Sequence, residues 1–130
     1  MSDIALLIGR LLFGGLFLYN GVNHFRNRAG LVGYAQYKKV PAAGVAVTIS
    51  GLWLVISGLS VILGIRPQIG LLMIAVFLFG VSPKMHDYWN APNADAGMND
   101  FLNFTKNIAL AGAALMLLSL PEPWAFSLMP

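Results

Sequence analysis

Few side chains in this 130-residue sequence are suited to chemistry, and they lie near the ends of long apolar stretches. Asn20 and His24 are four residues apart and share one face of a helix, as do Asn103 and Asn107. Amide and imidazole groups both donate and accept hydrogen bonds. We therefore predict a polar pocket where the ends of three stretches meet. Its candidate residues are Asn20, His24, His86, Trp89, Lys106 and Asn107.

Such a pocket suits a quinone headgroup, which needs hydrogen-bond donors beside an apolar slot with aromatic walls. The aromatic residues available as walls are Phe13, Phe17, Tyr88 and Trp89. Aromatic residues near a bilayer edge also serve simply as interfacial belt residues. His24 and His86 could in principle ligate a haem iron from its two sides, but no other residue indicates a haem site. Interfacial hydrogen bonding is therefore the preferred role for these two histidines. We predict no cofactor held covalently or by a motif, and no metal; a quinone fits better than haem.

Several classes of chemistry are excluded by the absence of their residues. The chain has no cysteine, which removes disulfide exchange, Fe–S ligation and thiolate nucleophiles. It has no glycine-rich phosphate loop, nucleophile elbow or metal-binding cluster. His86 and Asp87 are neighbours, and adjacent side chains on a helix point apart, so they form no triad. Whether the protein is an enzyme stays open at this stage.

Two cations lie within apolar stretches, where ionisable groups are costly and are functional candidates by default. Lys106 lies only about 7–8 Å inside its stretch by helix rise, so snorkelling to the interface and lining a pocket are equally open. Arg10 lies near the opposite surface at a similar depth. For Arg10 the preferred interpretation is contact with lipid phosphates, and the alternative is a side chain that points into the protein.

Composition indicates that the surrounding solvent is lipid. Hydrophobic residues make up 58% of the chain and charged residues 10%, against about 25% charged in soluble domains. Four apolar stretches are each about long enough to cross a bilayer: residues 4–25, 42–63, 68–84 and 101–120. Because a spanning segment must satisfy its own amides, and the connections are short, we predict an all-α, up-down-up-down four-helix membrane bundle in one transmembrane domain, residues 1–130. Residues 31–40 are predicted to form a short interfacial helix between spans one and two.

Local signals place the helix ends. Pro41 and Pro67 are expected to open the second and third spans, since proline is tolerated in a first helical turn. Asp100 is predicted as the N-cap or first-turn acid of the fourth span. Trp124 and Phe126, after the last span, resemble interfacial anchors.

Small residues are predicted to form close-packing faces, because in lipid they let helix backbones approach and gain dispersion contacts. The predicted packing residues are Gly44, Thr48, Gly51 and Gly58 in the second span, and Ala109, Gly112 and Ala113 in the fourth. The expected partners are membrane lipid and other membrane-protein subunits.

The net charge of +3 does not indicate nucleic-acid binding, because the basic residues lie at the ends of apolar stretches, where topology and anionic lipid explain them. The first and third loops and their borders hold Arg26, Arg28, Lys38, Lys39 and Lys84, against Arg66 in the second. We therefore predict that loops one and three are cytoplasmic and both termini outside, in a prokaryotic-type inner membrane. The N-terminus lacks a positive n-region, so the first span is expected to be a retained anchor.

Four segments carry a resemblance to a known family: residues 9–12 (Gly-Arg-Leu-Leu), 58–67, 85–89 (Met-His-Asp-Tyr-Trp) and 104–112. In these the sequence resembles the DoxX family of small four-helix membrane proteins, related to the DoxD subunit of thiosulfate:quinone oxidoreductase. The resemblance implies a membrane subunit that associates with redox partners close to quinone, with no settled activity. Ser50-Gly51 stands where many relatives carry an acidic residue, so a proton or cation role for that carboxylate does not carry over.

Three functions follow in order of preference. The first is an accessory or structural component of a larger redox or electron-transfer membrane complex. The second is a quinone-interacting oxidoreductase subunit, with the polar pocket on the side of loops one and three. A small-solute carrier is third, because four spans leave little room for alternating access.

Overall fold

The computed structural model describes residues 2–128 and is helical throughout, with no strand among them. The helices are α1 (Ser2–Arg26), α2 (Arg28–Tyr37), α3 (Ala43–Leu63), α4 (Pro67–Met85) and α5 (Ala94–Leu117), with a short 3₁₀ turn at Tyr88–Asn90. The predicted all-α fold is confirmed: α1, α3, α4 and α5 alternate in direction, and α2 lies between α1 and α3. The predictions for a single domain and for the termini extend to Met1, Met129 and Pro130, which lie outside the described residues.

Three segments are long and apolar enough to cross a membrane: Ser2–Arg26, Ala43–Leu63 and Pro67–Asn90. The fourth long helix, α5, is less clearly a span. Its 24 residues give about 36 Å by helix rise, which is sufficient length. The part of α5 that precedes Asn107, however, carries Asp95, Asp100 and Lys106, which lower its hydropathy.

The predicted start of the fourth helix is wrong. The helix begins at Ala94, and Asn93 is its N-cap, with a side-chain oxygen that accepts from the Ala96 N–H at 2.8 Å. Asp100 lies inside the helix and is buried, at 3% exposure. Asn is as good an N-cap as Asp, and Asp95 supplies the acid of the first turn. Asp100 is therefore free to bind a cation elsewhere.

A seam of glycines joins α1 to α3. Gly14 and Gly21 of α1 face Gly58 and Gly51 of α3, and all four are buried. A Cβ on Gly21 would stand 2.7 Å from the Val55 nitrogen, so the backbones approach as closely as they can. Two of the predicted packing residues lie in this seam.

Gly44 and Thr48, the other two predicted packing residues of α3, lie beside the start of α2. The Arg28 guanidinium donates to the Gly44 carbonyl at 3.0 Å and to the Thr48 hydroxyl at 3.3 Å. These contacts tie the first turn of α2 to α3. The short helix thereby covers the end of the bundle at which α1 ends.

The predicted packing face of α5 is not the face that packs inside the bundle. Ala109 is exposed, and no atom lies within 4 Å of a Cβ built on Gly112. The buried small residues are instead Ala111 and Ala114, both at 0% exposure. This stretch is small at nearly every position, so its spacing carries no information about which face packs. The face that packs is the one that includes Asn107.

Arg10 points into the protein, which corrects the preferred interpretation that it contacts lipid phosphates. It is 2% exposed. Its guanidinium donates to the carbonyls of Val61 at 3.2 Å, Ile62 at 2.8 Å and Phe126 at 3.3 Å, and to that of Ala125. The last carbonyls of a helix lack intrahelical partners and carry partial negative charge. The end of α3 therefore offers a buried site for a cation without any carboxylate.

Trp124 is part of the core, so its predicted role as an interfacial anchor is wrong. It is 4% exposed, and its ring lies 5.8 Å from the Arg10 guanidinium carbon. Phe126, the other predicted anchor, is exposed. The tail after α5 folds back because its carbonyls bind Arg10.

Candidate functional site

A gap separates α1 from α5. Close packing runs in the order α1, α3, α4, α5, and within the described part of the chain α1 and α5 do not pack closely on each other. Two cavities lie in this gap, one towards each end. The polar cavity, about 270 Å³, is bordered by Asn20, Asn23, His24, His86, Lys106 and Asn107, among apolar side chains. The apolar cavity, about 260 Å³, is lined by Ala5, Leu6, Gly9, Arg10, Phe13, Val61, Leu117 and Trp124.

The structure brings five of the six predicted pocket residues to the polar cavity: Asn20, His24, His86, Lys106 and Asn107. They come from α1, α5 and the end of α4, which meet because neighbouring helices are antiparallel. Trp89 is not among the lining residues. It lies in the 3₁₀ turn after α4, is 55% exposed, and packs edge-on against Tyr88 and Phe104.

The aromatic walls differ from those predicted. Phe17 lines the polar cavity, whereas Phe13 lines the apolar one. Sequence reasoning missed Tyr34 of α2 and Phe77 of α4, which border the polar cavity. No local signal singles them out, since both occur among other apolar residues.

His24 is held by its own helix. Its Nδ1 lies 2.7 Å from the main-chain oxygen of Asn20. In the neutral ring, Nδ1 therefore carries the proton and donates to that carbonyl, which leaves Nε2 as an acceptor. His24 thus has one ring nitrogen available to a ligand.

Asn107 is the most informative group in the cavity. It is 8% exposed, and its amide makes no hydrogen bond to another residue between 2 and 128. Its amide atoms are not among the fully buried polar atoms that lack a partner; because Asn107 lines the cavity, water or a ligand there can supply the partner. Lys106, by contrast, is exposed and donates to Asn103 at 3.4 Å. Its stem borders the cavity while its ammonium lies near the rim.

A partly buried ion cluster stands beside the cavity, and sequence reasoning missed it. The Lys38 ammonium lies 2.7 Å from an Asp87 oxygen and 2.9 Å from an Asp100 oxygen. The other Asp100 oxygen lies 3.5 Å from Nδ1 of His86. A usable signal existed: the chain has only five acidic residues, and Asp87 and Asp100 fall at the same predicted end of the bundle as Lys38.

The cluster ties the end of α2 to the start of α5. Burial would lower the pKa of Lys38, but its hydrogen bonds to Asp87 and Asp100 outweigh burial and hold that pKa above its ordinary value. While the two aspartates are ionised, the stabilisation is therefore fully present below the ordinary lysine pKa and is lost as pH rises past the raised one. Physiological changes of pH leave this tie in place.

A family model described as DoxX matches residues 5–87 of the chain. The chain is also similar to the Inner membrane protein YphA of Escherichia coli (strain K12), with 28% identity over 125 residues, which cover 96% of this chain and 88% of that protein. No solved structure matches the chain. The match to the family model includes four of the cavity's polar residues, Asn20, Asn23, His24 and His86, and ends before α5.

Proposed function

This chain belongs to the DoxX family of integral membrane proteins, and we propose that its polar cavity binds the headgroup of a quinone. The observation that carries the proposal is the amide of Asn107, which borders the cavity and makes no hydrogen bond to another described residue. A ligand with carbonyl oxygens would supply the missing acceptor.

The lining of the cavity fits such a ring. A quinone has oxygens on opposite sides of a flat apolar ring, and the polar side chains of the cavity lie on both α1 and α5. Asn20 and His24 are on one side, and Asn107 is on the other. Phe17 and Phe77 supply apolar walls. A volume of about 270 Å³ is just below the usual range for small-molecule pockets, so it suits one ring.

We expect Asn107→Leu to weaken the binding of duroquinone about tenfold, because a single net hydrogen bond is worth about that factor. Asn103→Leu is the matched control: Asn103 lies one turn earlier on α5 and does not border the cavity. Titration of the purified protein in lipid nanodiscs measures both affinities. Equal affinities for wild type and Asn107→Leu would remove the proposal.

A second proposed role is that of a subunit in a larger redox complex, and the open small-residue face of α5 favours it. Ala109 is exposed, and nothing lies within 4 Å of a Cβ on Gly112. Such a face admits the backbone of another helix. A partner that purifies with wild type in mild detergent should be lost from Gly112→Leu. Partner-free wild type from native membranes would contradict this role.

We further propose that the protein lies in an inner membrane with loops one and three in the cytoplasm. YphA is named as an inner membrane protein. Of the cations in and beside loops one and three, Arg26, Arg28, Lys39 and Lys84 are exposed, against Arg66 at the other end. A reporter fused after the C-terminal tail should then be active outside the cytoplasm. Activity only in the cytoplasm would reverse the orientation.

A further inference from the structure

We infer that the apolar cavity holds the hydrocarbon tail of the same quinone, so that this chain selects long-tailed, membrane-resident quinones over tail-less ones. The inference rests on the proposed function, because it assigns the second half of one ligand. It follows from the placement of the two cavities in a single gap between α1 and α5.

The two cavities follow one another along the same pair of helices. On α1, Phe17 lines the polar cavity and Phe13, one turn earlier, lines the apolar one; their ring centroids are 5.1 Å apart. On α5, Leu110 lines the polar cavity and Leu117 the apolar one. The helix rise between these leucines is about 10 Å. A ligand seated by its ring at Asn107 would therefore extend its tail along this line.

The apolar cavity offers a polar headgroup a single unengaged donor, the buried Nε1–H of Trp124, which has no partner among the described residues. Arg10 is its one charged lining residue, and the guanidinium is occupied by four main-chain carbonyls. The remaining walls are apolar, with the Trp124 ring among them. At Gly9 no atom stands within 4 Å of a Cβ, so the wall is open there. This lining suits a flexible hydrocarbon chain.

Entry from the bilayer follows from the same arrangement. At the polar end, Leu31 and Tyr34 of α2 border the cavity, so the short helix covers that end of the bundle. The ion cluster at Lys38 ties the end of α2 to α5. The open direction is sideways, between α1 and α5, which do not pack closely. A molecule dissolved in the membrane reaches the gap without passing through water.

The test compares decylubiquinone with the same dimethoxy-methyl benzoquinone ring without its decyl chain, in nanodiscs, after correction for partition into lipid. We expect wild type to bind the decyl compound at least about tenfold more tightly. Gly9→Leu places a side chain at the open wall of the apolar cavity. It should remove most of this preference and leave the affinity for the tail-less ring within about twofold.

Two further variants keep the test decisive. Ala5→Phe fills the apolar cavity from the preceding turn of α1 and replaces Gly9→Leu if that variant does not fold. Gly15→Leu adds the same side chain to α1 outside both cavities, where no atom lies within 4 Å of a Cβ, and should retain the wild-type preference. Equal affinities of wild type for the two compounds would overturn the tail site, leave the headgroup site standing, and indicate a lipid acyl chain in the apolar cavity. An equal loss of affinity for both compounds in Gly9→Leu would also overturn the tail site. Failure of wild type to bind either compound would remove the proposed function itself.

Discussion

Arg10→Met is expected to lower the free energy of unfolding by about 3–5 kcal/mol. The side chain donates to carbonyls at the end of α3 and in the tail. Its removal leaves these oxygens in apolar surroundings and releases the tail that carries Trp124. Unfolding in detergent, followed by tryptophan fluorescence, measures the loss, and cleavage of the tail by an added protease reports its release.

The matched control is Arg66→Met, which removes a cation from the same end of the bundle. Arg66 is exposed, and its side chain makes no ion pair within residues 2–128. Its replacement should change stability by no more than about 0.5 kcal/mol. If Arg10→Met were as stable as this control, Arg10 would not hold the tail to α3.

Gly14→Ala is expected to cost about 2–3 kcal/mol through overpacking. The added Cβ would lie 2.8 Å from Cγ1 of Ile62 and 2.9 Å from the Gly58 oxygen. Relief of the second contact requires α1 and α3 to move apart, which would also disturb the Gly21 end of the seam. Thermal unfolding in the same detergent measures the change.

The next residue of the chain supplies the control for Gly14→Ala. No atom lies within 4 Å of a Cβ on Gly15, so Gly15→Ala should be neutral, or stabilising by up to about 1 kcal/mol through helix propensity. We therefore expect Gly14→Ala to lower the stability and Gly15→Ala to leave it unchanged or raise it. The same sign and size for both would show that α1 and α3 are not in close contact at Gly14.

Topology explains what the sequence predicted well. Antiparallel neighbours with short connections bring the end of α1, the end of α4 and the start of α5 together. The position of each residue along its helix is therefore enough to predict that Asn20, His24 and Asn107 meet. Pro67 opens α4 because proline's missing N–H costs nothing in a first turn.

What the sequence did not predict depends on partners distant in the chain. Arg10 points inward because carbonyls 51 residues or more away accept its hydrogen bonds, and depth along a helix does not reveal them. Lys38 binds Asp100 across 62 residues. Small residues occur on nearly every side of α5 around Gly112, so the sequence does not indicate which face of the helix is buried.

Photolabelling with an azido-quinone, followed by mapping of the labelled peptides, tests most directly whether the polar cavity binds a quinone. We expect label on α1 near Asn20 and His24 and on α5 near Asn107, and we expect excess decylubiquinone to reduce it. Label confined to the outer groove of α3 and α4, at Ile56, Ile69 and Met73, would contradict it.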